Sequence, residues 1–309
     1  MRVRIALTGA SGFLGSVLAR HLAASGHDVR ALTRTLPRRD AHAHPRVDRI
    51  QGDLASPSDA AALIEDAEAV VHLAWTNTPL TSNAHLPSDA SANLLPTLVL
   101  IEAMRATGNR SHVIFASSGG AIYGHAADRR PFREDNACRP QSSYGIQKLT
   151  AEHYLRMASE HGWLTATALR MANPYGVLLP PERRQGFIGT AISQIRSGDA
   201  VSVFGSPENV RDYVHIADVC RAFEVGLVPQ RPFDVFNIGS GTGQSVLQIL
   251  ELIREIQGDR VPVQRESFAA ADELTSWVVL NVAKAREELE WSPHISLRDG
   301  LRDLLSLQT

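Results

Sequence analysis

Three glycines, Gly9, Gly12 and Gly15, separate an apolar run from an amphipathic one near the start of the chain. No other stretch narrows the possible folds as much. Val3 to Thr8 reads as a buried strand. Phe13 to Ala24 reads as a helix with Phe13, Leu14, Val17, Leu18 and Leu22 on one face. Between them, Gly9-Ala10-Ser11-Gly12-Phe13-Leu14-Gly15 places its glycines at i, i+3 and i+6. A strand that turns directly into a helix uses glycine for the tight turn, for close approach of the backbone to a ligand, and for packing helix on strand. The helix N-terminus adds unpaired N–H groups and partial positive charge, which suit a pyrophosphate. In this position the segment predicts a dinucleotide cradle formed by Gly9, Ser11, Gly12, Phe13, Leu14 and Gly15.

The pattern then repeats. Val29 to Thr33, Val47 to Gln51, Ala69 to Leu73, Val113 to Ala116 and Leu164 to Leu169 are strand candidates. Helical patterns fall around Pro57 to Glu65, Ala90 to Thr107 and Ser143 to His161. Alternating β and α segments predict an α/β fold, a Rossmann-type doubly wound parallel sheet with right-handed crossovers. The regularity ends after Asn173, and Pro174 to Gln185 reads as loop. Mixed segments follow: helices near Ile188 to Ser197, Ile216 to Leu227, Val246 to Gln257 and from Leu297, with short strands near Val201 to Phe204 and Val235 to Ile238. Residues 1–173 are expected to form the dinucleotide-binding domain, and residues 174–309 mainly a small, interwoven α/β substrate lobe, with some segments returning to the first domain.

Composition removes several classes. A chain of 309 residues that is 44% hydrophobic and 21% charged can bury a sizeable core. A net charge of −2 argues against a dedicated nucleic-acid binder. Cys138 and Cys220 are too few for a disulfide scaffold or a cysteine-rich zinc site, and no metal site is predicted. No apolar run approaches the roughly 18 residues that a membrane span needs. No long apolar segment precedes a cleavage site at the N-terminus. The expectation is a soluble, cytoplasmic, globular α/β protein.

Tyr144 and Lys148 carry the chemistry. Four residues apart in a helical pattern, they share one face. Free tyrosine, with a pKa of about 10, is a poor base at neutral pH, and an adjacent ammonium is expected to lower that value. Such a tyrosine exchanges a proton with an alcohol or carbonyl, while the redox change belongs to a nicotinamide. Ser117 and Ser118 end a strand whose C-terminal edge lines the ligand crevice, so either could polarise the substrate oxygen. The second strand ends Leu32-Thr33-Arg34, without the carboxylate that grips the ribose of NAD. Arg34, followed by Arg38 and Arg39, could instead pair with the 2′-phosphate of NADP, or form a solvated basic loop. Asp53, before Leu54, could accept from the adenine amine or be a surface carboxylate.

Taken in order, these residues resemble the extended short-chain dehydrogenases/reductases, especially the nucleotide-sugar 4-epimerases such as UDP-glucose 4-epimerase. The resemblance covers nearly the whole chain. It runs through Gly9–Gly15, His72-Leu73-Ala74, Asn93, Ser117–Gly124, Tyr144 with Lys148, and Leu169–Gly176. It continues through Arg211–Val219 and Phe236–Gly241. It implies cofactor contacts at Asp53, Leu54, Leu73, Ala74, Lys148 and Pro174, and substrate contacts at Ser118 and Tyr144. Asn173 and Arg211 would hold the substrate diphosphate, which suits a bidentate guanidinium. It implies that His215 is structural, that Tyr123 and Pro174 shape the nicotinamide side, and that the protein is a homodimer.

The chain departs from the family in particular places. Gly119 stands where many 4-epimerases place a catalytic Ser or Thr, four residues before the tyrosine of the Tyr-Gly pair. Phe268–Asp272 lacks the basic residue that often binds substrate phosphate. Gly119-Gly120-Ala121 replaces the Thr-Asp-Glu of the 4,6-dehydratases, which disfavours dehydration. The leading expectation is an NAD(P)-dependent epimerase working at a carbinol, C4, of a nucleotide-activated sugar. The competing expectations are an NADPH-dependent reductase of a nucleotide-linked 4-keto-6-deoxyhexose or another carbonyl, and a non-catalytic NAD(P)-sensing regulator. Retention of both Tyr144 and Lys148 argues against the last.

Overall fold

The computed structural model describes residues 2–36, 44–79, 81–124, 126, 128–178, 186–258, 262–266 and 276–307. The elements run β1 (Arg4–Thr8), α1 (Phe13–Ala24), β2 (Asp28–Thr33), β3 (Val47–Gln51), α2 (Pro57–Ile64), β4 (Ala69–His72), α3 (Leu86–Thr107) and β5 (His112–Ser118). Next come α4 (Gly119–Ile122), α5 (Ser143–Glu160), β6 (Thr165–Met171), β7 (Asn173–Tyr175), α6 (Phe187–Arg196), β8 (Val201–Phe204), β9 (Val210–His215) and α7 (Ile216–Val225). The chain ends with β10 (Phe233–Ile238), β11 (Gly243–Ser245), α8 (Val246–Gln257), β12 (Val263–Glu266), β13 (Trp277–Val278), α9 (Ala283–Glu288) and α10 (Leu297–Ser306).

Two compact units share this chain. The first comprises Met1–Ile122, Ala137–Arg170 and Cys220–Phe236; the second comprises Tyr123–Asn136, Met171–Val219 and Asn237–Thr309. Residues 220–236 return to the first unit, and residues 123–136 go with the second.

The first unit is built on a seven-stranded sheet of order β10-β6-β5-β4-β1-β2-β3. The pairs β1–β2, β1–β4, β2–β3 and β4–β5 are parallel. Residues of β4 and all but the first of β1 are buried, as expected for strands covered on both faces. Ala6, Val70, Val113 and Phe115 pack against Leu100 and Met104 of α3 and Leu155 and Ala158 of α5. Each large apolar side chain so buried contributes about 1.5–3 kcal/mol. Strand order reverses at β1, so the turns after β1 and β4 flank the crevice where such sheets bind ligands.

In the second unit, a four-stranded sheet contains β11, β9 and β13, with β7 pairing β9, and β8 pairs β12 separately. Its core gathers Tyr213, Ile249, Ile253, Leu301 and Leu304. Helix α8 opens with a capping box between Ser245 and Gln248.

Several elements differ from the sequence reading. Asn173–Tyr175 lies in the segment expected as loop, yet it forms β7 with Pro174 opposite Val214. It pairs with β9 alone, and an edge strand tolerates a residue without an N–H. The unpredicted β9 hides its strand character behind Arg211 and Asp212. Helix α3 starts at Leu86 rather than Ala90, because Pro87 fits a first helical turn.

Candidate active site

The turn after β1 closes tightly against the turn after β4. Gly9 has φ +71°, and a Cβ there would stand 2.8 Å from Ala74 N and from the Leu73 carbonyl carbon. A Cβ on Gly15 would stand 2.1 Å from the Gly9 oxygen. Gly12 caps α1 with no side-chain hydrogen bond, which leaves the first-turn N–H groups to other acceptors. Ser11 is exposed, while Phe13 and Leu14 are half-buried. This backbone cradle, which side chains would fill, fits the pyrophosphate of a dinucleotide.

A polar chain beneath the cradle fixes its shape. The Oγ1 of Thr8 accepts from the N–H groups of Leu73 and Ala74, at 3.1 Å each, so its own proton goes to His72 Nδ1 at 2.8 Å. His72 therefore carries its proton on Nε2, donated to Thr97 Oγ1 at 2.9 Å, and Thr97 donates to the Asn93 carbonyl at 3.2 Å. Burial, helped by the positive charge of Lys148, pushes the His72 pKa down to about 3.

At the expected ribose end, Thr33 is buried and its hydroxyl has no hydrogen-bond partner. Arg34 is exposed and its guanidinium forms no ion pair among the described residues. Arg38 and Arg39 lie outside the described residues. Asp53 is exposed and works locally: its Oδ1 accepts from Ala55 N at 3.0 Å, and its own N–H goes to Asp59 Oδ2 at 2.8 Å. Leu54 is buried beside it.

At the end of β5 the paired serines part company, as neighbours on a strand must. Ser118 is half-buried, and its side chain acts to lower the Tyr144 pKa. Ser117 is buried and donates to Glu152 Oε1 at 2.5 Å; Glu152 in turn meets Arg170 Nη2 at 2.7 Å. Ser117 thus anchors a buried ion pair, and the geometry leaves Ser118 as the serine beside the tyrosine.

Tyr144 lies in the first turn of α5, capped by Ser142, whose Oγ accepts from Gly145 N at 3.2 Å. Lys148, one turn on, is 2% exposed and donates to the Ala116 carbonyl at 2.6 Å. Its Nζ stands 3.7, 4.7 and 5.7 Å from the ring centroids of Trp75, Phe115 and Tyr144. The expected lowering of the Tyr144 pKa by Lys148 is not what the structure shows. Burial pushes the phenol up to about 12, against the pull of Ser118, and burial also pushes the Lys148 pKa well down, against the attraction of Glu152. Loss of water outweighs the partner in both groups.

The sequence reading missed Asp89. Buried in the first turn of α3, it accepts from Asn77 Nδ2 at 2.5 Å, Asn93 Nδ2 at 2.8 Å, Ser143 Oγ at 2.6 Å and Gln147 Nε2 at 2.5 Å. Asn93 Oδ1 accepts from Thr76 N at 2.7 Å. The same loop accepts from the start of α5: Tyr144 N donates to Ser82 Oγ at 3.1 Å and Ser143 N to Asn83 Oδ1 at 2.8 Å. An acidic residue in the first turn of a helix with proline near its start, and polar residues i, i+4 at Ser143 and Gln147, were the available signals.

In the second unit, Asn173 on β7 is half-buried and donates to the Asp212 carbonyl at 2.9 Å. Arg211 on β9 is half-buried; Nη1 donates to Val210 O at 2.8 Å and Ser276 O at 3.1 Å, and Nη2 to Ser276 Oγ at 2.6 Å. It has no carboxylate partner among the described residues. Asp212 turns to Ser240 N and Oγ, at 2.7 Å each, Gly241 N at 3.1 Å and Leu280 N at 3.3 Å. His215 packs edge-on against Tyr175 at 5.3 Å. Pro174 is a half-buried member of β7. Tyr123 is buried, stacked on Phe132 at 4.8 Å, with its hydroxyl given to Asn237 Oδ1 at 2.8 Å. Residues 268–272 lie outside the described residues. Among the described residues no group of His, Cys, Asp and Glu could hold a metal ion, and no helix is long and apolar enough to cross a membrane.

The family described as NAD dependent epimerase/dehydratase matches residues 5–239. The chain belongs to this family. It is 31% identical to dTDP-4-dehydro-6-deoxyglucose reductase of Escherichia coli over 77% of this chain and 74% of that protein. UDP-glucose 4-epimerase of Corynebacterium glutamicum is 30% identical over 97% of this chain and 94% of its own length. The crystal structure of UDP-glucose 4-epimerase with UDP-glucose from Thermotoga maritima superposes with a TM-score of 0.88 at 31% identity, covering 98% and 97% of the two chains. The protein is thus an NAD(P)-dependent enzyme on a Rossmann-type sheet, as the order of its motifs predicts.

Proposed function

We propose that this enzyme is a nucleotide-sugar 4-epimerase, with Tyr144 as the residue that moves the proton of the sugar 4-hydroxyl. The observation that carries this reading is Tyr144 in the first turn of α5 with Lys148 one turn along, and the Ser118 side chain acting on the phenol. The glycine cradle and the Leu73–Ala74 turn would hold the dinucleotide, with Thr33 and Arg34 at its ribose end. When bound, a nicotinamide supplies a reversible two-electron acceptor. Tyr144 takes the hydroxyl proton as the carbinol is oxidised and returns it when the ketone is reduced from its other face. Ser118 positions the same oxygen, and the Lys148 charge favours the phenolate as it forms. Asn173 and Arg211 would bind the diphosphate of the substrate. A half-buried guanidinium held only by neutral acceptors keeps its charge for an anion. Gly119 and Gly120 supply no acid for a dehydration.

The reductase reading uses the same residues in one direction. Thr33 with Arg34 and the similarity to the E. coli reductase favour it. The exposed apolar residues Leu86, Leu95, Ile146 and Tyr154 on α3 and α5 support a homodimer, testable by sedimentation. Cys138 and Cys220, not joined in a disulfide, fit a reducing, cytoplasmic setting.

A pair of assays separates the readings. UDP-glucose or UDP-galactose without added cofactor should interconvert. A nucleotide-linked 4-keto sugar with NADPH should show net NADPH loss only if the reductase reading holds. Tyr144→Phe should lower turnover by at least about a hundredfold while leaving cofactor binding intact. Turnover at the wild-type rate in that variant rejects the mechanism.

A further inference from the structure

Lys148 has lost its water, and no carboxylate touches it among the described residues. An ammonium carries about three donors; Ala116 takes one, and aromatic rings close in around the rest. Trp75 is the nearest of these rings, with Nζ 3.7 Å from its centroid, and it also meets the Tyr144 ring edge-on at 6.1 Å. The indole N–H is buried and makes no hydrogen bond among the described residues. The fold therefore engages Trp75 through its face and not through its polar atom.

We propose that Trp75 is a positioning residue for the Tyr144–Lys148 pair, its π face holding Lys148 as an ammonium in a dry site. A ring quadrupole attracts a cation without cancelling its charge. A carboxylate in the same place would neutralise the ammonium and remove its field from the phenol. Glu152, the acidic residue nearest in sequence on α5, is already matched by Arg170 at 2.7 Å. The titratable groups around Lys148 are Tyr144 and Glu152 on α5 and His72 on β4; β5 offers Phe115 and a carbonyl. His72, its pKa pushed down to about 3 by burial, stays neutral well above that value. Trp75 therefore sets how much positive charge Tyr144 meets. This rests on the proton-transfer role given to Tyr144 and adds the residue that sustains it.

The chain offers an unusually direct test, because Lys148 and Lys284 are its two lysines. Full-length protein carrying Lys284→Arg and labelled with carbon-13 at the lysine ε position shows one lysine resonance. Its shift is followed against pH without any substrate. Trp75→Leu should lower the Lys148 midpoint by about one pH unit, and Trp75→Phe, which keeps an aromatic face, by less. The Trp75→Leu shift should persist in the Tyr144→Phe background. Equal midpoints in wild type, Trp75→Phe and Trp75→Leu overturn the proposal; if Trp75→Leu fails to fold, an unshifted Trp75→Phe does so. A kinetic arm reads the consequence: with a neutral Lys148, Tyr144 keeps its proton to higher pH. The acid limb of the pH–rate profile should then move upward in Trp75→Leu, with kcat falling and KM little changed. A uniform loss of rate with an unmoved limb would make Trp75 merely structural. The resonance needs no sugar, so its outcome is separate from whether the enzyme is an epimerase.

Discussion

Asp89 in the first unit and Asp212 in the second are both 1% exposed, and neither has a cation as hydrogen-bond partner among the described residues, yet they are held by opposite means. Asp89 is surrounded by side chains: Asn77, Asn93, Ser143 and Gln147 all donate to it. Asp212 is held mainly by backbone N–H groups of Ser240, Gly241 and Leu280. The first arrangement depends on four residue identities and joins a loop to α5, the helix that carries Tyr144. The second depends on backbone path and would survive most changes around it. The unit that carries Tyr144 and Lys148 thus has the hub more open to mutation.

The largest effect should come from breaking Asp89. Asp89→Ala strands four donors and should cost about 3 kcal/mol in a urea titration, with kcat lowered about a hundredfold. Asp89→Asn should recover much of the stability, because the Gln147 Oε1 is buried without a partner and can accept from the new amide. If alanine and asparagine are equally damaging, the side-chain account of this hub is wrong.

Asp212→Asn should be milder, about 1–2 kcal/mol, with KM for the sugar rising more than kcat falls. Its pH dependence adds a sign. Burial raises the Asp212 pKa above the ordinary carboxylate value, against the opposing hydrogen bonds. The folded state then binds the proton more tightly than the unfolded chain. Stability from this group is full below the unfolded value near pH 4 and is lost as pH rises through the folded one. Wild type should show this decline in urea midpoints, and Asp212→Asn should flatten it.

The smallest effect contrasts the arginines. Arg34→Ala should weaken NADP(H) binding about tenfold while leaving NAD(H) nearly unchanged, since an exposed cation meets only a 2′-phosphate. Equal losses for the two cofactors, measured by calorimetry, would remove Arg34 from that role.

The cradle and the Tyr144–Lys148 pair were legible because their logic is local: glycines within one turn, or residues on one helix face. Asp89 was not, because Ser143 and Gln147 stand 54 and 58 residues away in sequence. Trp75 carried no signal in the sequence, since nothing in its neighbourhood announces a lysine beneath the ring. Ser117 and Ser118 were separable in principle, because strand alternation sends them to different sides, but which side faced the tyrosine needed the helix in place. β9 escaped because its buried aspartate resembles a surface residue until the loops that enclose it are known.

The Thr8–His72–Thr97 chain has a consequence for anyone recording rates across a pH series. With its imidazole neutral down to about pH 3, the floor of the cofactor seat contributes no inflection at neutral or mildly acidic pH. Its protons stay where they are while the phenol and the amine above it titrate. The enzyme carries a quiet baseline beneath its own signal, so a bend in the curve around neutrality does not come from the histidine below the cradle.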